Sequence, residues 1–336
     1  PAPAALDAPP AGGAAPAPSS VVMASFATAA MEDFMLNWHA HVTALGIGNV
    51  LVAAFDPKTE AACAKAGIPY RADADLRSTF DGVVTGGQPL GRTASTVSDG
   101  RQFQHLGSLK AAFLLRLLEQ GHTVLVSDVD TAWMRDPRRY LLRLEAAGLA
   151  DVMVSNDCLS QEEDDAGGCL SSQFNTGILW LRPTAPAKRL MAEWRDELAR
   201  GASDAYENDQ GVFNRITRSN LRADGRAKFL ARSDFGGGLS IGVLPLALFS
   251  SGHVFFVQRL PQSLGEPAMV VHTTYQFSHS AGKRQRLREA GLWALDPEPY
   301  YSGRYLTVDA ALPESVAAMG TGVRAQLAAA AGDRLC

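Results

Sequence analysis

From about residue 20 onward, short apolar runs alternate with segments of helical period. VVMASFAT (21–28) is an unbroken apolar run of strand length, which predicts a buried first strand. MEDFMLNWHAHVTALG follows as a helix that stops at Gly46, and NVLVAAF (49–55) reads as a second strand. Asp56-Pro57 then opens a helix through KTEAACAKAG, because proline is tolerated in a first turn and Gly67 supplies the stop. Residues 71–107 lose periodicity and are expected to be a loop-rich insertion. Period returns in SLKAAFLLRLLEQG (108–121), where Leu109, Ala112, Phe113, Leu117 and Leu118 share one broad face. HTVLVSDVD (122–130) is a short apolar strand that runs into two carboxylates. DVMVS (151–155) and TGILWLR (176–182) read as central strands, with an acidic loop QEEDDAGG (161–168) between them. A helix is expected over Thr184–Arg200, with Leu190, Trp194 and Leu198 at i, i+4 and i+8, and another over NDQGVFNRI (208–216). MVVH (269–272) is a late strand. This alternation predicts an α/β fold, a mostly parallel sheet flanked by helices.

The first 20 residues differ. PAPAALDAPPAGGAAPAPSS is nearly all Pro, Ala and Gly, with little to bury, so it reads as a disordered stem or linker before a single domain over 21–336. With 46% hydrophobic and 20% charged residues, the chain as a whole has enough apolar material for a sizeable core. A formal net charge of -4 gives no basic footprint for nucleic acid. No run approaches the roughly 20 apolar residues that span a bilayer. None of the four cysteines forms a CxxC pair, which argues against a structural zinc site. Cys158 and Cys169 bracket the acidic loop and are either a disulfide, given an oxidising compartment, or two separate thiols.

The sharpest chemical signal is VLVSDVDTAW. An apolar strand delivers Asp128 and Asp130 to its carboxyl end, where open α/β sheets bind ligands. On extended backbone, residues i and i+2 point the same way. Paired carboxylates favour a divalent cation shared with a phosphate, and oxygen ligands suit Mn²⁺ or Mg²⁺. A solvated turn with two capping aspartates would carry the same letters. So would a phosphatase of the haloacid-dehalogenase type, but its motif continues with Thr or Val where this chain has Ala132.

LEQGHTVLVSDVDTAWMRDP, NTGILWLRPT, ENDQGVFN, VVHTTYQF and GKRQRLREAGLW occur in that order. Together they resemble the nucleotide-diphospho-sugar transferase group that includes glycosyltransferase family 77. The resemblance implies a GT-A type, Rossmann-like fold and a metal-dependent retaining glycosyltransferase. It implies a UDP-sugar donor, arabinose foremost, and a glycoprotein or glycan acceptor such as a hydroxyproline-rich glycoprotein. It further implies the Golgi lumen, a stem such as residues 1–20, and a membrane anchor that precedes them. By the same resemblance, His272 joins Asp128 and Asp130 as a metal ligand, although a lone histidine at a strand end also serves structure. Lys283, Arg284 and Arg286 would meet the diphosphate, Lys283 foremost because Gly282 permits close approach; a solvated basic helix face is the plain alternative. Asn175, Thr176 and Gly177 would face the donor, the asparagine through its amide and the glycine by admitting close approach, unless they are only a turn signal. Asp209 and Gln210 would lie beside the transferring sugar, although Asn208-Asp209 also suits a helix N-cap. Lys110 stands where the family often carries a basic residue, and it also reads as a surface lysine. A catalytically silent protein with the same fold is the alternative outside enzymes.

Overall fold

A computed structural model describes residues 18–72, 97–146, 150–201 and 207–296. The chain divides into two compact units, Pro1–Leu292 and Trp293–Cys336. Of the second, only the turn at Trp293–Asp296 is described. Residues 1–17 of the expected stem lie outside the described residues. Pro18–Ser20 form one turn of 3-10 helix, and Arg138 Nη1 donates to the Pro18 carbonyl at 3.0 Å.

The first unit opens as a run of strand–helix units. β1 (Val22–Ala27) is followed by α1 (Glu32–Ala44), β2 (Val50–Ala54), α2 (Pro57–Ala66) and β3 (Tyr70–Arg71). Asp56 caps α2 by accepting from Thr59 N, Pro57 sits in the first turn, and Gly67 ends the helix at φ 68. After α3 (Val97–Glu119) come β4 (Val124–Ser127), β5 (Thr131–Trp133), α4 (Arg138–Ala146) and β6 (Val152–Asn156). Next are α5 (Gln161–Gly167), β7 (Phe174–Leu181), α6 (Ala185–Arg200), α7 (Asp209–Thr217), β8 (Arg222–Ala223), β9 (Leu230–Ser233) and β10 (Leu239–Val243). β11 (Phe249–Ser251), α8 (Leu260–Leu264), β12 (Val270–His272) and α9 (His279–Glu289) close the unit.

One sheet runs β3-β2-β1-β4-β7-β6-β10-β9-β8 and a second runs β11-β12-β5. The architecture is the expected helix-flanked α/β sheet. The sheet is mixed rather than mostly parallel. β3, β2, β1 and β4 are parallel, as are β6 and β10, but β7 runs antiparallel to both β4 and β6. β7 is buried at all eight positions, and a strand buried on both faces has the same apolar signature in either direction.

Two further expectations need correction. The helix forecast at 108–121 is α3 and begins at Val97, so part of the supposed insertion is helical; Ser98, Asp99, Gly100 and Gly107 hid it by reading as breakers. Residues 73–96 of that insertion lie outside the described residues. The acidic loop is a helix, α5, because the Ser160 side chain accepts from Glu163 N, the start of a capping box, and Gly168 closes it at φ 64. Cys158 and Cys169, on either side of it, form a disulfide.

The end of β4 is firmly held. Ser127 Oγ accepts from both buried indoles, Trp38 Nε1 at 2.8 Å and Trp133 Nε1 at 3.2 Å, and the Ser127 carbonyl accepts from Ser25 Oγ at 2.7 Å. These bonds fix the point from which the next residue, Asp128, departs.

Candidate active site

Asp128-Val129-Asp130 is a turn between β4 and β5 rather than extended strand. The Thr131 hydroxyl closes it onto the Asp128 carbonyl at 2.8 Å. The two carboxylates therefore converge through the turn, and not by the alternation of a strand. Thr273 holds the far side, donating from N at 3.1 Å and from Oγ1 at 2.8 Å to the Asp130 carbonyl.

The second sheet supplies the third group. β12 pairs with β5 in a register that sets His272 against Thr131. His272 Nε2 lies 3.3 Å from Asp130 Oδ1 and 3.7 Å from Asp128 Oδ2. One ligand atom from each of Asp128, Asp130 and His272 falls within 4.8 Å of the others. Two carboxylates and an imidazole are a donor set for a hard or borderline divalent cation, so these residues fit Mn²⁺ or Mg²⁺. Gly177 makes room for this: a Cβ there would stand 2.1 Å from His272 Cε1. Its bareness thus makes room for the imidazole.

Two ammonium groups balance the acids. Lys110 is buried, not a surface lysine; its Nζ lies 3.1 Å from Asp128 Oδ1, 3.5 Å from Asp209 Oδ2 and 3.1 Å from the Thr176 carbonyl. Burial alone would lower its pKa, but the carboxylates of Asp128 and Asp209 outweigh that and hold it above the usual lysine value. Lys283 Nζ bonds Asp130 Oδ2. Burial alone would raise the Asp130 pKa, but Lys283 and His272 hold it well below the usual carboxylate range. Gly282 has a local reason: a Cβ there would stand 1.9 Å from the Phe277 carbonyl oxygen, so its bareness serves the start of α9.

Arg284 and Arg286 point to other partners. Arg284 pairs with Asp33 of α1 and lies over the Phe34 ring, 5.0 Å from its centroid. Arg286 bonds Gln276 at 3.2 Å and Glu289 at 3.3 Å.

Asn208 caps α7, its side chain accepting from Gly211 N at 2.8 Å, which frees the next two residues for other contacts. Asp209 Oδ2 accepts from Thr176 Oγ1 at 3.2 Å besides facing Lys110. Gly107 of α3 lets this group sit close, since a Cβ there would lie 2.7 Å from Asp209 Cβ. Asn175 Oδ1 accepts from Gly177 N at 2.9 Å. Its Nδ2 donates to Asp157 Oδ1 at 2.7 Å, and Gln210 Nε2 donates to Asp157 Oδ2 at 2.7 Å. Sequence reasoning missed Asp157, although it follows the predicted strand DVMVS almost directly. The rule that singled out Asp128, a carboxylate at the carboxyl end of a strand, also marks it.

A cavity of about 220 Å³ opens over this cluster. Lys110, Asp128, Asp130, Asp209 and Lys283 line its polar side, and Phe26 and Phe55, stacked at 6.0 Å, its apolar side.

The nucleotide-diphospho-sugar transferase family model matches residues 45–287. Arabinosyltransferase XEG113 of Arabidopsis thaliana is 32% identical over 303 residues, covering 88% of this chain and 44% of that protein. A UDP-D-xylose:L-fucose alpha-1,3-D-xylosyltransferase of the same plant is 29% identical over 192 residues, covering 54% of this chain and 48% of that protein. This chain thus spans less than half the length of either relative. Among solved structures, the galactosyltransferase LgtC with donor and acceptor sugar analogues aligns at 14% identity and a TM-score of 0.40, covering 84% of this chain and 99% of that one.

Proposed function

The chain belongs to the nucleotide-diphospho-sugar transferase family, and we propose on that premise that it is a retaining glycosyltransferase that moves arabinose from a UDP-sugar to an acceptor hydroxyl. The single observation that carries the proposal is the convergence of Asp128, Asp130 and His272 within 4.8 Å, with Lys110 and Lys283 beside the two aspartates on one cavity. The arabinosyltransferase similarity supports the sugar, and the xylosyltransferase relatives keep xylose next. A hydroxyproline-rich glycoprotein or cell-wall glycan is the proposed acceptor.

Asp128, Asp130 and His272 would hold a divalent ion, which would offset charge on the diphosphate as the sugar leaves. Lys283 sits at the same carboxylate and adds a second positive charge for the leaving phosphate. Lys110, buried between Asp128 and Asp209, orients both carboxylates. Gln210 and the Asp209 carboxylate face the carbon where positive charge develops. The stacked Phe26 and Phe55 give an apolar wall suited to the nucleoside. The Cys158–Cys169 disulfide supports an oxidising lumen, and we place the protein in the Golgi with residues 1–20 as part of a stem.

The test is release of UDP from a panel of UDP-sugars with Mn²⁺, UDP-arabinofuranose, UDP-xylose and UDP-galactose first. Turnover should vanish in excess chelator, return with Mn²⁺ and be absent in folded Asp130→Ala. No release from any donor, with or without glycan acceptor, refutes the transferase reading; full activity in chelator refutes the metal role.

A further inference from the structure

Asp157 stands apart from the ion-paired cluster, yet both of its oxygens are occupied by amides of the site. Asn175 Nδ2 donates to one and Gln210 Nε2 to the other, each at 2.7 Å. A side-chain amide can present either of its two ends, but a carboxylate only accepts and therefore selects the NH₂ end. Asp157 thus decides which way both amides face. For Asn175 the opposite end is used as well, since its Oδ1 accepts from Gly177 N. For Gln210 the carbonyl oxygen Oε1 takes no hydrogen bond from a donor among the described residues.

The support behind Asp157 is stiff. Its N donates to the Gln173 carbonyl at 2.9 Å, and its own carbonyl accepts from Tyr275 OH at 2.9 Å. Cys158, the next residue, is tied to Cys169 and donates from N to Asn156 Oδ1 at 2.8 Å. A group held this way can impose its preference on a flexible glutamine.

We propose that Asp157 is a positioning residue that holds the Gln210 amide by its nitrogen so that Oε1 is the atom offered to the anomeric carbon of the donor sugar. The proposal rests on the transferase reading above. The carbonyl oxygen then has a specific role, because its partial negative charge faces the carbon on which positive charge grows as the sugar–phosphate bond breaks. The opposite rotamer would aim amide hydrogens at that carbon and oppose the charge.

Asp157→Asn tests this. The new amide has one accepting oxygen and one donating nitrogen, so it can no longer accept from both neighbours. Asn175 is held at its other end by Gly177 N, so Gln210 is the group that turns over. UDP release from UDP-arabinofuranose with Mn²⁺, or from whichever member of the panel the wild type turns over, is measured for Asp157→Asn, Gln210→Ala and the double variant. Gln210→Ala should lower kcat by about 10²-fold. Asp157→Asn should lower it by at least about 10-fold with donor KM within about twofold, and should add nothing further in the Gln210→Ala background. If Gln210→Ala is severe while Asp157→Asn is near wild type, or if the two losses multiply, the positioning role is refuted. A silent Gln210→Ala refutes instead the assignment of Gln210 to the sugar. Thermal unfolding checks the fold of each variant. If Asp157→Asn does not fold, Asp157→Ser, which keeps one small acceptor, enters the same cycle and is judged by the same additivity.

Discussion

Gly177→Ala adds one methyl group and should disable metal binding through a histidine distant in sequence. Gly177 is not in the left-handed region of backbone space, so the substitution strains no dihedral and its effect is purely steric. The added Cβ would lie 2.1 Å from His272 Cε1, 2.5 Å from Nδ1 and 2.9 Å from Asn175 Oδ1. Ordinary van der Waals contact begins at 3.4 Å, so the ring must retreat by about 1.3 Å. It has little room to do so: His272 is buried and sits in the middle strand of the second sheet, with its Nε2 against two carboxylates. Metal–ligand distances tolerate only about 0.2 Å. Displacing a ligand by several times that should weaken the apparent affinity for Mn²⁺ by about 10- to 100-fold, the range seen when support for a ligating histidine is lost. Overpacking should also cost the fold about 1–3 kcal/mol. The assay is UDP release at saturating donor over a Mn²⁺ titration, with thermal unfolding alongside. Gly242→Ala is the control. It makes the same change in the same unit, but its Cβ would meet Met153 Cγ at 3.2 Å, and a thioether chain can give way. It should keep the wild-type metal midpoint. A Gly177→Ala enzyme with that same midpoint, whatever its stability, refutes the claim that this glycine exists to seat His272.

Two further outcomes follow from buried groups. Lys110→Met leaves the carboxylates of Asp128 and Asp209 facing each other without their shared cation, and should destabilise the protein by about 3 kcal/mol in urea unfolding; a loss below about 1 kcal/mol would mean that the acids are neutralised from elsewhere. Burial, followed by the nearby Glu60, Asp56 and Glu32 carboxylates, pushes the Cys63 thiol up to about 12, so iodoacetamide at neutral to mildly basic pH should leave Cys63 unmodified in the native protein and label it only after denaturation, as read by peptide mass mapping.

The order of strands and helices was largely legible because it depends on local pattern. VVMASFAT, NVLVAAF, DVMVS and TGILWLR each announced a strand through an apolar run, and Asp56-Pro57 with Gly67 announced both ends of a helix. The same local reading supplied Asp128 and Asp130, since a carboxylate at the end of an apolar strand stands out without any neighbour in view, whereas His272 came from the family resemblance. α5 was legible too, through Ser160 and Glu163, but its acidic run reads first as a loop.

What folding alone decided is what lies between elements far apart in the chain. The direction of β7 depends on which strands flank it, and burial on both faces erases the pattern that would reveal it. The turn that aims the two aspartates is closed by Thr131 and braced from Thr273, across a sheet whose existence no single segment discloses. Lys110 reads as a surface lysine until Asp128 and Asp209 are brought to it from separate strands and helices. Arg284 gains its partner Asp33 only when a helix 251 residues earlier is brought to it. Asp157 acquires a role only when Gln210, 53 residues later, turns its amide toward it. Periodicity and capping are properties of a few consecutive residues, whereas charge pairing, hydrogen-bond direction and steric room depend on distances in space, and those are set only when the sheets close.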